Sequence, residues 1–392
     1  MKRPFREYHL LCLIEDYEEQ HLPLDLFMSH YFREHKSLGP KDRGVIAETI
    51  YAMIRWQGLL DHVCTGPLTW ENRLDTYTHF KPQNYRDQAD IPLHTRLSFP
   101  KHLFDLIEKS HGEERACHLC ETSNQAAPTT VRANTLKITR EALIARWQEA
   151  TYPVSPCAHS QQGIFFLKKM NFFQLPEFKE GFFEVQDEGS QLLSDLIQAE
   201  PGEQVMDYCS GSGGKTLAFA PRMNGKGQIY LHDIRPHALM EARKRLKRAG
   251  IQNAQSVEAT DEVRLKKLKK KMDWVLVDAP CTGTGTMRRN PDMKWKFEEV
   301  TLTRLVGQQR MIFEKALSFL KPTGKIVYAT CSILKEENQE QLDHFIKTYN
   351  LEVEGEPFQS LPTPGGMDGF FGVVLKHKVD TVKHEETIQN AI

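Results

Sequence analysis

Apolar residues recur at helical spacing through residues 10–61, as in Val45-Ile-Ala-Glu-Thr-Ile-Tyr-Ala-Met-Ile-Arg-Trp56, and predict a helical domain. Ser37-Leu-Gly-Pro-Lys-Asp42 places breakers and capping residues between two of its helices. Residues 66–99 are aromatic and proline-containing without a clear period, so they read as a connecting segment. Helical spacing resumes through Leu103-Phe-Asp-Leu-Ile107 and over residues 116–122. A strand pattern at Thr129-Thr-Val-Arg-Ala-Asn134, a helix from Glu141 capped by Thr139, and short strands near residues 164–167 and 182–185 predict a small α+β module. From Gln186 onward short apolar runs alternate with helices. Strands are predicted at residues 204–207, 228–231, 254–258, 274–278, 325–330 and 372–375. Helices are predicted at 215–220, 236–249 and 298–320, with Pro322-Thr-Gly324 ending the last. That alternation implies an α/β fold with a mainly parallel sheet covered on both faces, and ligands beyond the carboxyl ends of its strands.

Composition narrows the class without naming a function. The 392 residues are 40% hydrophobic and 26% charged, which predicts two or three globular domains. No apolar run approaches the ~18 residues of a membrane helix, and the start turns acidic at Glu15, Asp16, Glu18 and Glu19, unlike a signal peptide. A cytoplasmic protein with no membrane partner, acting as a monomer, is expected. Eight scattered cysteines form no disulfide framework and suit reduced thiols. A formal net charge of −1 means that any nucleic-acid surface must be local. Arg243-Lys-Arg-Leu-Lys-Arg248 and the lysine-rich residues 264–271 are candidates, although solvated helix faces explain both. Cys117-His-Leu-Cys120 has no second pair of ligands and reads as packing, so no metal is expected.

Chemistry concentrates at the predicted strand ends. Asp207-Tyr-Cys-Ser-Gly-Ser-Gly-Gly-Lys-Thr216 is a glycine loop between a strand and a helix. Only two residues separate Gly211 from Gly214-Lys215, too few for a P-loop, and residue 216 is not the glycine of a dinucleotide fingerprint. Cys209, Ser210, Gly211, Ser212, Gly213, Gly214 and Lys215 are therefore candidates to hold a nucleoside without phosphate recognition. Asp233 ends the second strand and is placed for ribose hydroxyls. Asp261, after the third, could approach the base, although either aspartate could simply cap a helix. With Asp278 at the fourth strand end, the set fits S-adenosylmethionine. Two cysteines complete it: Cys281 in Asp278-Ala-Pro-Cys-Thr-Gly-Thr-Gly285 and Cys331 in Tyr328-Ala-Thr-Cys-Ser332. A single such cysteine is usually structural. Two of them after neighbouring strands converge on one cleft, where either thiol could attack a substrate.

These strings resemble the RsmB/Sun type of RNA 5-methylcytosine methyltransferases. Matching segments are Phe183-Glu-Val-Gln-Asp-Glu-Gly-Ser-Gln-Leu192, the loop to Thr216, Asp278 to Gly285, Arg289-Asn-Pro-Asp-Met-Lys-Trp295, Tyr328 to Glu337-Asn338, and Asp368-Gly-Phe-Phe371. Arg132-Ala-Asn-Thr-Leu-Lys137 resembles the family's RNA-contacting module, and Gly39-Pro-Lys-Asp-Arg43 its NusB-type helical domain. The chain departs in having Ser210-Gly211-Ser212 where the family usually has Ala-Pro or Ala-Ala, and Thr282 where it has Ser. A more flexible loop must be ordered when ligand binds.

The resemblance implies a Rossmann-like methyltransferase domain over residues 184–380, a small α+β RNA-contacting module over 98–183, a helical NusB-like domain with its connecting segment over 1–97, and a polar tail over 381–392. It implies that Cys331 attacks carbon 6 of cytosine, that Asp278 contacts the base near N3 with Lys215 assisting, and that Cys281 helps remove the carbon-5 proton or release product. Arg132, Asn134, Arg288, Arg289 and Lys294 become candidate RNA contacts. Small-subunit ribosomal RNA is the favoured substrate, with transfer RNA or a non-catalytic ribosome-assembly role as alternatives. DNA cytosine methyltransferases use the Pro-Cys thiol as nucleophile, so the presence of Cys331 favours the RNA family.

Overall fold

A computed structural model describes residues 3–18, 20, 22–168 and 170–378. The polar tail expected at 381–392 lies outside the described residues. The chain forms two compact units, one of residues 1–127, 283–301 and 362–364, the other of the remainder.

The first unit is helical. Phe5–Glu18, Leu24–Glu34, Pro40–Arg55 and Gln57–Val63 enclose a core that includes Leu13, Ile14, Leu24, Ile46, Ile50 and Leu60. In Pro40–Arg55 the buried residues Ile46, Ile50, Met53 and Ile54 make one stripe, and Pro40 sits where a missing N–H costs nothing. The supposed connecting segment contains a further helix, Trp70–Tyr77, which buries Trp70 and Leu74 and is capped by Thr69 accepting from Asn72 N at 3.2 Å. Eight residues with two apolar anchors are too short to show a period. Helices Lys101–His111 and Glu113–Ser123 also fall in this unit.

The second unit carries two sheets. Strands β1 (Thr129–Ala133), β2 (Val154–Pro156), β3 (Gly163–Phe166) and β4 (Phe183–Val185) pair antiparallel in the order β2-β3-β1-β4. Helix Arg140–Glu149 buries Leu143 and Trp147 against Val131, Ile164 and Phe183, and Thr139 caps it by accepting from Ala142 N at 3.2 Å. The larger sheet contains β5 (Gln204–Asp207), β6 (Gln228–Asp233), β7 (Ala254–Glu258), β8 (Met272–Asp278), β9 (Leu320–Thr330), β10 (Leu351–Val353), β11 (Phe358–Ser360) and β12 (Phe370–His377). Its order is β10-β12-β9-β8-β5-β6-β7, with β11 beside β12. Strands β5 to β9 run parallel, and β12 is antiparallel to β9. Separate apolar cores cover its two faces, which is why β8 and β9 read as nearly continuous apolar runs.

Pro322-Thr-Gly324 does not end a helix. The helix stops at Leu317, and the tripeptide lies inside β9. There Met272 pairs with Leu320 and Trp274 with Lys325, so four residues bulge opposite one and β9 tolerates proline and glycine. The chain steps from β5 outward through β6 and β7, then returns to the other side of β5 for β8 and β9. That reversal opens a crevice beyond the carboxyl ends of β5 and β8.

Candidate functional site

A cavity of about 810 Å³ occupies this crevice, lined by the loop after β5, the ends of β6 and β8, Cys331 after β9, and Val185, Gln186 and Ser190. Cys281 and Cys331 meet in it, with their Sγ atoms 3.4 Å apart. The hydrogen bond with Cys281 lowers the Cys331 pKa. Burial and the Asp278 carboxylate oppose that shift, and Lys215 assists it. Lys215 Nζ donates to Asp278 Oδ2 at 2.5 Å. Burial alone would lower the Lys215 pKa, but the adjacent carboxylate outweighs it and holds the ammonium above its ordinary value. The four residues implied as catalytic thus form one cluster: two thiols in contact and one ion pair.

The loop after β5 turns through Gly211 and Gly213, at φ 53° and 77°. At Gly213 a Cβ would meet Ala242 Cβ and Leu231 Cδ2 at 3.3 Å, so close packing as well as backbone angle selects glycine. Cys209, Ser210, Gly211, Ser212, Gly214 and Lys215 line the cavity, whereas Gly213 makes the turn behind them. Asp233 lines it too. Its Oδ2 accepts from Gly211 N at 2.8 Å, and the Arg235 guanidinium donates to both oxygens. Burial would raise the Asp233 pKa, but Arg235 and the two backbone amides outweigh it and hold the carboxyl below its usual range. Asp261 does not join them. It is exposed, caps helix Glu262–Leu268 by accepting from Arg264 N at 3.0 Å, and is absent from the cavity lining.

The lining fits a nucleoside without a pyrophosphate. Ser210 Oγ is buried without a hydrogen-bond partner, so a polar ligand edge would satisfy it. Ile234, 73% exposed beside Asp233, offers an apolar face to a base. Of the four lysines and arginines in the lining, Lys215, Arg235 and Arg245 are already paired with carboxylates, and Lys315 is the fourth.

Behind the loop, Asp207 accepts from Thr216 Oγ1 at 2.7 Å, and burial raises its pKa to about 7. The folded protein therefore holds this proton more tightly than the unfolded chain, whose carboxyl titrates near ~4. Stability from that proton is complete below pH ~4 and is lost as pH rises towards 7. Asp207→Asn, which cannot ionise, should gain on the wild type between pH 5 and pH 8 by about 3 kcal/mol in urea unfolding.

Four of the five candidate RNA contacts are internal braces. Arg132 is buried and donates through Nε to Gln186 Oε1 at 2.7 Å, and Asn134 Nδ2 donates to Gly181 O and Ala249 O at 2.8 Å each. In the helical unit, buried Arg288 donates to Thr363 O at 3.0 Å, and buried Lys294 Nζ to Arg55 O at 2.6 Å and Asn124 Oδ1 at 2.7 Å. Burial pushes the Lys294 pKa well down. Only Arg289 of the five keeps partial exposure. A charged residue within a family string is equally compatible with packing, which a sequence alone does not separate.

Two residues overlooked as site candidates buttress the thiols. The Glu337 carboxylate is fully buried and accepts from Thr282 N at 2.9 Å, Thr282 Oγ1 at 2.5 Å and Gln309 Nε2 at 2.9 Å. Asn338 accepts from Thr330 Oγ1 at 2.6 Å and donates to Ser332 O at 2.9 Å, spanning Cys331. Glu337 therefore holds the residue after Cys281, and Asn338 both neighbours of Cys331. The signal was present, since Glu337-Asn338 belongs to the string that begins at Tyr328. Glu337→Ala should slow methyl transfer about 10²-fold through misplacement of the thiols, with Glu337→Gln, which keeps one acceptor oxygen, intermediate in single-turnover assays.

Comparison with known proteins places the chain in a family. A family model described as 16S rRNA methyltransferase RsmB/F matches residues 195–375, and the ferredoxin-like domain of RsmF/B-like methyltransferases matches residues 99–172. A probable ribosomal RNA small subunit methyltransferase B from Synechocystis sp. is 30% identical over 279 residues, 71% of this chain and 62% of that protein. The ribosomal RNA small subunit methyltransferase B of Pasteurella multocida is 32% identical over 314 residues, 74% of this chain and 67% of that protein. The chain thus spans roughly two thirds of these relatives, and less than that of the Synechocystis protein. In three dimensions a methyltransferase homolog protein from Pyrococcus horikoshii superimposes with a TM-score of 0.63 at 27% identity, covering 73% of this chain and 98% of that one. Fold and crevice together are those of a Rossmann-like methyltransferase. Within that class the chain belongs to the RsmB/F family, whose methyl donor is S-adenosylmethionine.

Proposed function

We propose that this protein methylates carbon 5 of a cytosine in RNA, with small-subunit ribosomal RNA as the favoured substrate, through a covalent bond between Cys331 and carbon 6. The observation that carries the reading is the contact of two thiols, 3.4 Å apart, beside the Lys215–Asp278 pair and the glycine loop in one cavity. The names of the relatives favour ribosomal RNA.

The loop from Cys209 to Lys215 would hold the donor, with Ile234 beside its base and Asp233 at its ribose once Arg235 yields. Bound there, S-adenosylmethionine supplies an electrophilic methyl group. The Cys331 thiolate adds to carbon 6, which places electron density on carbon 5 and lets that atom take the methyl group. Asp278, held by Lys215, faces the N3 edge, where it passes to N3 the proton given up by the Cys331 thiol and then accepts from the N3–H, so that attack does not leave an anion on the ring. Methyl transfer leaves the sulfonium as a neutral thioether; Cys281, its own proton lost to solvent, then removes the carbon-5 proton as thiolate, that electron pair restores the 5,6 double bond, the carbon 6–sulfur bond breaks, and Cys331 leaves as thiolate. The target base must be unpaired or flipped out of its stack to enter.

The test is direct. Purified protein incubated with S-adenosylmethionine and unmodified small-subunit ribosomal RNA should yield 5-methylcytosine in the nucleoside digest. Label in any other nucleoside overturns the chemistry. Bisulfite sequencing of a deletion strain tests the substrate, because ribosomal RNA that keeps all its methylcytosines would redirect the assignment to transfer RNA.

A further inference from the structure

Glycine-rich turns are soft, and this one carries Gly211, Ser212 and Gly213 in sequence, with both glycines in the left-handed region. One backbone bond closes it from within, Gly213 N donating to Ser210 O at 2.8 Å, and the rest of its order comes from outside. One end is tied where Ser210 N donates to His232 O at 3.0 Å, and Gly211 is tied to Asp233. Among the described residues the side chain that holds Ser212 is Arg245, whose Nη1 donates to Ser212 O at 3.1 Å and to Ser212 Oγ at 2.8 Å.

Arg245 is in turn held from the small sheet. Its Nε and Nη2 donate to Glu184 Oε2 at 3.3 and 3.0 Å, and Glu184 Oε1 accepts from Arg248 Nη2 at 2.5 Å. Glu184 is the middle residue of β4, paired opposite Arg132, and only 4% exposed. A carboxylate this buried is stable only while its cationic partners stay in place, so it fixes the guanidinium rather than following it. The planar fork of arginine lets one group grip both Glu184 and Ser212, which a lysine ammonium cannot reproduce.

We infer that Arg245 is a positioning residue: it sets the donor loop through Ser212, and it takes its own orientation from Glu184 of the small sheet. Affinity for the methyl donor thus depends on a residue in β4 that does not line the cavity. By the reciprocity of linkage, donor binding stabilises the attachment of the small sheet to the methyltransferase fold. The inference rests on the donor site proposed above.

Titration calorimetry of the full chain with S-adenosylmethionine provides the test, using wild type, Ser212→Ala, Glu184→Gln, Arg245→Lys and the paired variants. Wild type must bind; if it does not, the donor site itself is wrong. Given that, Ser212→Ala should weaken binding roughly three- to tenfold, the scale of one lost hydrogen bond, and Glu184→Gln by at least as much. The Glu184→Gln/Ser212→Ala double variant should be no weaker than the weaker single, because both act through one guanidinium. Losses that multiply, or a folded Glu184→Gln that binds like wild type, overturn the inference. Should Glu184→Gln not fold, Arg245→Lys replaces it: Ser212→Ala must then matter in wild type and be silent in Arg245→Lys. An equal loss in both backgrounds overturns it. In turnover Glu184→Gln should raise the KM for donor and leave kcat at saturating donor within about twofold of wild type, a split that general destabilisation would not produce.

Discussion

Cys331→Ala should abolish methylation, by on the order of 10⁴-fold or more, and should form no covalent RNA adduct, whereas Cys281→Ser should accumulate adduct to near stoichiometry. The contrast follows from what each thiol does for the other. Cys331 owes its lowered pKa first to the hydrogen bond with Cys281, and a serine hydroxyl in that position still donates. Attack therefore survives the Cys281→Ser change. Release does not, because a serine hydroxyl does not ionise at neutral pH and cannot take the carbon-5 proton, whereas a cysteine can do so as its thiolate. Denaturing gel shift with labelled RNA and donor reads both outcomes. Adduct in Cys331→Ala and none in Cys281→Ser would exchange the two roles, as in an enzyme whose Pro-Cys thiol is the nucleophile.

The parallel sheet was legible because its strands are buried on both faces and so spell nearly unbroken apolar runs, as in Trp274-Val-Leu-Val277. The thiol pair was legible for the same reason, since strands that neighbour in the sheet deliver the residues after them to one edge. Less visible was whatever depends on partners distant in sequence. Arg132 and Lys294 look like phosphate ligands until Gln186 and Asn124 are found on them. Helix Trp70–Tyr77 has too few apolar positions to declare a period, and Pro322-Thr-Gly324 suggested a helix stop because a bulge against β8 cannot be read from one strand alone. Glu337 was hidden differently. It lay in view within a matched string, but a carboxylate that serves two loops by accepting amide and hydroxyl hydrogens has no signature of its own.

Asp278→Asn should lower the rate of methyl transfer about 10²- to 10³-fold, the scale of losing one preorganised electrostatic partner, and should slow adduct formation in parallel. Asp278 has two neighbours to serve. Its Oδ2 accepts from Lys215 Nζ, and its charge is what keeps that buried ammonium protonated. An asparagine retains the shape and one acceptor but removes the largest support for the Lys215 charge, leaving the weaker pull of Cys331 and Asp207 against burial, so the Lys215 pKa falls. Two consequences distinguish this from simple misfolding. Protein stability should fall less at high pH, where Lys215 can deprotonate, than at pH 6, where it must carry an unpaired buried charge. The rate defect, measured at saturating RNA in the single-turnover regime, should appear already in the burst of adduct in a Cys281→Ser background. Adduct that forms at the parental rate while methylation lags would move Asp278 from attack on carbon 6 to a later step. The Cys331 thiolate would then depend on Lys215 without the aspartate's help.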